Sequence, residues 1–270
     1  MKISIKNTLL FAFFGIVALT PHIPLEAAIK TVFWSKPSLF YQNRGKMLWK
    51  LGPSSLMGLG RDVQNELFTK LVQHFGSQTQ QYKANDPENN KPLPLIMRKW
   101  LTGEESAHDI RHAARKTFAN DSFITKITDI VFKPEELVKV TSVLEDSFKL
   151  LERVKKSQPS VRHILASNYD PASFHELQKS AIGKRVLPNF NAIYNSGTLK
   201  DELKGLVLQD PAFFSLIMKE QHLQPEECLV INTDPAVISA AQSLGMKTIQ
   251  YKDNDFSFVK NELKRMGLIS

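Results

Sequence analysis

A chain of 270 residues, 42% hydrophobic and 23% charged, suits one large globular domain or a core carrying an insertion, and excludes a low-complexity or disordered polymer. The formal charge of +8 makes the surface basic, which could favour phosphates, nucleic acid or anionic lipid, but lysine and arginine are scattered rather than gathered into a run, so a solvated face is expected and nucleic acid is not. The single cysteine, Cys228, excludes an intrachain disulfide, and its place at the head of CLVIN predicts a buried, inert thiol.

Lys2 and Lys6 precede the apolar run TLLFAFFGIVALT, and Pro21, Pro24 and Ala27-Ala28 follow it. A basic start, a short apolar stretch and small residues at its end predict a signal peptide over 1–27, with secretion or periplasmic export. The apolar run is shorter than the roughly 20 residues a membrane helix needs, so no stable transmembrane span is expected; an uncleaved anchor is the alternative.

AIKTVFW, rich in β-branched and aromatic residues, predicts a strand over Ile29 to Trp34. Residues 35 to 60 read as a loop with a short helix around Lys46 to Leu51. RDVQNELFTKLVQHF has helical spacing, and residues 77 to 94 read as an exposed polar loop. From Pro94 to Val154 four amphipathic helical segments are predicted: PLIMRKWLTG, EESAHDIRHAARKTFA, DSFITKITDIVF and KPEELVKVTSVLEDSFKLLERVKK. Pro134 with Glu135 and Glu136 starts the last one well, since proline and acids favour a helix N-terminus.

After Pro159 strands alternate with helices: VRHILASN, PASFHELQKS, NAIYNSG, DPAFFSLIMKEQ, ECLVIN, DPAVISAAQSLG, MKTIQY and FSFVKNELKRMGLI. Gly245 closes the helix before MKTIQY. This alternation implies βαβ units and a parallel sheet. The expected class is therefore α/β, a Rossmann-like three-layer α/β/α sandwich with an inserted helical cap. The expected division is 28–40 and 156–270 for the core and 41–155 for the cap.

KTVFW, HILASN, GLVLQDPAFF and PEECLVINTDPAVISAAQSLGMKTI, in that order, resemble the four motif regions of the haloacid dehalogenase (HAD) superfamily of phosphatase-like hydrolases. The resemblance implies a nucleophilic aspartate and an acid/base aspartate after the first strand. It also implies a Ser or Thr for phosphate, a lysine, and acids near the fourth strand for Mg²⁺. Carried across, the two aspartate positions fall on Ser35 and Pro37, and the lysine position on Leu208, with Lys204 one loop earlier. The phosphate position is kept as Ser167, followed by Asn168, and the late acids fall on Asn232 and Thr233 with Asp234 displaced. No aspartate occurs before Arg61 and the only glutamate there is Glu26, so the nucleophile is missing under any alignment.

The expected ligand-binding set is Ser35, Ser167, Asn168, Asn232, Thr233 and Asp234, with no metal site and no confident catalytic residue. The expected function is an exported, catalytically degenerate hydrolase that binds a small phosphorylated or anionic ligand, or a partner, without a cofactor. Two alternatives stand beside it. One is an active hydrolase using Ser35 with His163 or His175 as base, and with Mg²⁺. The other is an envelope interaction protein whose pocket is vestigial. His108 and His112 share one helix face near Glu104 and could approach a divalent metal, but their polar neighbours predict a solvated face instead. Phe33, Trp34, Phe40, Tyr41 and Trp49 are expected to fill the cap-to-core junction.

Overall fold

The computed structural model describes residues 28–52, 79–80, 93–199, 205–251 and 255–270. The predicted signal peptide, the helix expected near residues 61–75 and Lys204 lie outside the described residues.

The first strand, β1 (Thr31–Ser35), is followed at once by a four-residue helix, α1 (Lys36–Leu39), and a short strand, β2 (Phe40–Gln42). Ser38 closes the turn: its Oγ accepts from Ser35 N–H at 3.0 Å and donates to Ser35 O at 2.6 Å. The cap begins with α2 (Arg44–Leu51). Two short strands, β3 (Thr79–Gln80) and β4 (Leu93–Pro94), pair antiparallel, and helices α3 (Leu95–Thr102), α4 (Ala107–Thr117), α5 (Ser122–Val131) and α6 (Pro134–Val140) follow. Ser106 caps α4 and Asp121 caps α5, each side chain accepting a backbone N–H of the first turn.

The fourth predicted cap segment is not one helix. It breaks after α6 into a strand, β5 (Thr141–Val143), and resumes as α7 (Glu145–Ser157). The β-branched Thr141 and Val143 flank the break, and β5 pairs antiparallel with β2, Phe40 facing Val143. This two-stranded ribbon ties the segment after β1 to the segment before α7, and α7 packs against α1 and the C-terminal helix.

The remainder follows the predicted alternation: β6 (Arg162–Ser167), α8 (Pro171–Lys179), α9 (Ala181–Val186), β7 (Ala192–Asn195), α10 (Pro211–Gln221), β8 (Cys228–Asn232), α11 (Pro235–Gln242), β9 (Lys247–Gln250) and α12 (Phe256–Arg265). The sheet order is β7-β6-β1-β8-β9 with every pairing parallel. It is the doubly wound α/β architecture expected from the sequence. Gly245, at φ +83°, takes the left-handed conformation that ends α11 and turns the chain into β9.

Both faces of the sheet are covered, so β1 is buried along its whole length rather than alternating. Phe33 packs on one face against Phe214, ring centroids 5.8 Å apart. Val32 and Trp34 look the other way, into an apolar cluster that runs without a break into the cap through Trp100, Ile110, Ile124 and Leu151. Phe33 lies in the separate cluster on the far face of the sheet, and Tyr41 is 39% exposed; aromatic filling of the junction holds for Trp34 and Phe40. It fails for Trp49, which stands 89% exposed on α2.

Candidate functional site

In a parallel sheet the C-terminal strand ends converge on one edge, because every strand runs the same way and each loop there leads into a helix. Register puts Ser35 beside Ala166, Trp34 beside Ile231, and Ser167 beside Asn195. Ser35, Ser167, Asn195 and Asn232 therefore end four neighbouring strands. All four are buried, none more than 2% exposed. Asn168, Thr233 and Asp234 follow them as a half-buried rim. The six residues expected to gather do gather, and the structure adds Asn195 and Gln209 to them.

Most of the polar atoms of this edge are already paired. Ser35 Oγ donates to Ile231 O at 3.3 Å, and Ser167 Oγ donates to Asn195 Oδ1 at 3.1 Å. Asn195 Nδ2 is buried without a hydrogen-bond partner. Asn232 Oδ1 accepts from Asp234 N–H at 2.8 Å, the side-chain-closed turn typical of asparagine. Asp234 Oδ1 caps α11 by accepting from Ala236 N–H at 2.9 Å, and its Oδ2 accepts from Gln209 Nε2 at 2.8 Å. Asn168 Nδ2 donates to Gln209 Oε1 at 2.8 Å, while Asn168 Oδ1 takes the N–H of Leu208 at 2.9 Å. A chain of side-chain amides thus spans the edge from the loop after β6 to the loop after β8.

Leu208, at the expected lysine position, is buried as part of an apolar cluster. Pro37, at the second aspartate position, is exposed, and its carbonyl accepts from Tyr251 Oη at 3.4 Å. The loop carrying Leu208 is held by the cap: Arg98 on α3 donates to Gly205 O at 2.9 Å and to Asp210 Oδ2 at 2.8 Å. Close packing tightens the same junction. A Cβ on Gly197 would lie 2.6 Å from Tyr169 O and from Pro171 Cδ, which explains a glycine just after β7.

Neither histidine proposed as a base for Ser35 reaches it. His163 is buried in β6, where its Nδ1 accepts from Trp34 Nε1 at 3.0 Å. Burial, with Lys155 adding to it, pulls its pKa down to about 4, so it is a neutral core residue. His175 is exposed on α8. His108 and His112 are exposed on α4, with His108 Nδ1 3.3 Å from Asp109 Oδ1, the solvated face expected of them. Cys228 is the buried thiol expected: its Sγ contacts Gln224 O at 3.2 Å, and burial pushes its pKa up to about 12.

One charged residue beside this edge went unsingled by sequence reasoning. Lys36, between the two aspartate positions, is half-buried, and its Nζ lies 4.3 Å from the centre of the Tyr169 ring. Burial lowers its pKa to about 8, against the attraction of Asp170. Asp170 is itself pushed up by burial while it caps α8 through Ser173 N–H at 3.0 Å. A lysine flanked by Ser and Pro carries no pattern that sets it apart from a solvated one.

Mg²⁺ favours hard oxygen ligands, carboxylates foremost. Of the residues at the motif positions only Asp234 is a carboxylate, and both its oxygens already accept hydrogen bonds. Among the described residues no three His, Cys, Asp or Glu side chains cluster as a metal would require. The donor set does not fit the ion.

No family model and no curated protein matches the chain. Solved structures do. A HAD family enzyme from Bacteroides thetaiotaomicron superposes with a TM-score of 0.56 at 15% identity, covering 87% of this chain and 99% of that one. A predicted HAD-like family hydrolase from Porphyromonas gingivalis gives 0.52 at 17% identity, covering 88% and 99%. The chain has the HAD fold. L-2-haloacid dehalogenase from Xanthobacter autotrophicus, at TM-score 0.51 and 13% identity over 88% of this chain and 83% of that one, shares it. No helix among the described residues is long and apolar enough to cross a membrane.

Proposed function

We propose that this HAD-fold protein is exported and binds a small phosphorylated or otherwise anionic ligand, or a partner, without hydrolysing a phosphoester. The observation that carries this reading is the state of Ser35. The residue at the nucleophile position is a buried hydroxyl bonded to a backbone carbonyl, and no side-chain base among the described residues is bonded to it. A serine hydroxyl attacks phosphorus or carbon only when a neighbouring base takes its proton. Asp234 could supply charge, but it is spent on capping α11 and on Gln209.

Anion binding is what the remaining chemistry favours. Amide and hydroxyl donors at the rim, with the half-buried ammonium of Lys36 nearby, suit an anion better than a cation. A HAD family enzyme of the same fold was solved with magnesium and inorganic phosphate. Phosphate is accordingly the first ligand class to test, while the donor set here argues against the metal.

The test of this reading is a Mg²⁺-supplemented screen of the purified protein over many phosphoesters. No turnover above the buffer rate is the expected result; robust Mg²⁺-dependent release of phosphate rejects the proposal. For export, N-terminal sequencing of the mature protein should begin at Ala28 or Ile29, and a retained Met1 counts against cleavage.

A further inference from the structure

The cap carries a polar groove away from the strand ends. A groove of about 560 Å³ opens between α2, α4, α5 and α6. Five cationic side chains line it: Lys50, Arg111, Arg115, Lys126 and Lys133. Only two carboxylates, Asp129 and Glu136, face them. The volume of this open groove falls within the range of small-molecule sites.

The pairing inside the groove is uneven. Lys50 and Lys139 share Glu136, whose pKa those bonds pull down to about 2. Arg115 Nε lies 3.4 Å from Asp129 Oδ1, and Lys133 Nζ lies 3.5 Å from Glu135, outside the lining. Two cations are left without a carboxylate among the described residues. Lys126 Nζ donates only to Leu51 O at 3.3 Å, and Arg111 is half-buried with no ion pair. Arg111 and Arg115 stand four residues apart on α4, where like charges repel along one helix face. An anion between the helices would relieve that repulsion and use the planar donor fork of Arg111. Asp129 Oδ1 is buried and faces Arg115, so the groove's one carboxylate on α5 is already engaged.

We propose that this groove is a binding site for the phosphate group of a phosphoester, held by Arg111 and Lys126. It goes beyond the strand-edge reading, resting only on the proposal that the protein binds an anionic ligand. The phosphate can come from a free metabolite or from a lipid headgroup, and the two sources are separable.

The experiment titrates the full-length mature protein with glycerol phosphate by calorimetry, and in parallel with phosphatidylglycerol vesicles in a phosphatidylcholine background by co-sedimentation. Arg111→Gln and Lys126→Gln are measured separately, each after its thermal unfolding midpoint has been checked against the parent. Saturable glycerol phosphate binding, weakened at least tenfold in both variants, is the expected result. Vesicle binding alone, lost in both variants, keeps the site and assigns the phosphate to a lipid. Failure to bind either probe, or binding that both folded variants leave within twofold of the parent, overturns the proposal. Mg²⁺-dependent phosphatase turnover would instead defeat the strand-edge reading and leave the groove affinities as they are.

Discussion

Trp34→Ala costs about 3–5 kcal/mol of folding free energy, enough to lower a thermal unfolding midpoint by many degrees. The indole is fully buried in the central strand, beside Leu165 and Ile231, in the cluster that joins sheet to cap. Its removal opens a cavity in a close-packed interior. It also strands His163, whose Nδ1 loses its donor while its Nε2–H already lacks an acceptor. Each unsatisfied buried polar atom adds about 1–3 kcal/mol. Trp34→Phe, which keeps most of the volume and loses the hydrogen bond, falls between parent and alanine. Trp49→Ala is the contrast: that indole is 89% exposed, so its loss changes stability by less than about 0.5 kcal/mol. Chemical denaturation of the three variants measures the difference, and equal losses at Trp34 and Trp49 would contradict the placement of both.

Acid destabilises the protein through His163 before most carboxylates titrate. The folded pKa is about 4 against an ordinary 6.5, so the unfolded chain binds the proton more readily. Stability is therefore fully present above pH 6.5 and is lost as pH falls from 6.5 toward 4. A shift of that size corresponds to about 3 kcal/mol. Glu136, pulled down to about 2, loses its contribution only lower, from 4.5 to 2. Asp170, raised by burial, works in the opposite direction. His163→Gln offers Trp34 an acceptor that does not titrate, and it should flatten the unfolding free energy between pH 6.5 and 4.5. An unchanged slope in that variant would place the titrating group elsewhere.

Much of the architecture was legible because its causes are local. The change from helical to strand periodicity after Pro159, the caps, and Gly245 each act within a few residues. β5 was not legible. Thr141 and Val143 sit between good helix formers, and the strand exists because Phe40–Gln42, about a hundred residues earlier, pairs with it. Nothing within the window distinguishes the two outcomes. Trp49 was misread for a related reason, since aromatic character predicts burial on average but not which side of a helix faces out.

At the candidate site the same division holds. Ser35, Ser167 and Asn232 could be placed because each ends a strand, and the ends of parallel strands converge. The bonds that fix their chemistry could not be placed. Asn168, Gln209 and Asp234 come from three separate loops and meet only in the fold. Arg98 reaches Asp210 from the cap across more than a hundred residues. The loop sequence NTD, which departs from an acidic motif, reads locally as an asparagine-closed turn followed by a helix cap. Those residues serve the backbone first.

The most direct test of the central claim is to look for the covalent intermediate itself. The unmodified protein is incubated with Mg²⁺ and a radiolabelled phosphoryl donor such as acetyl phosphate, quenched in acid, and both the chain and the released phosphate are counted. The account predicts no acid-stable label on the chain and no Mg²⁺-dependent release above the protein-free rate. A phosphorylated chain, or stoichiometric Mg²⁺-dependent release, would contradict it.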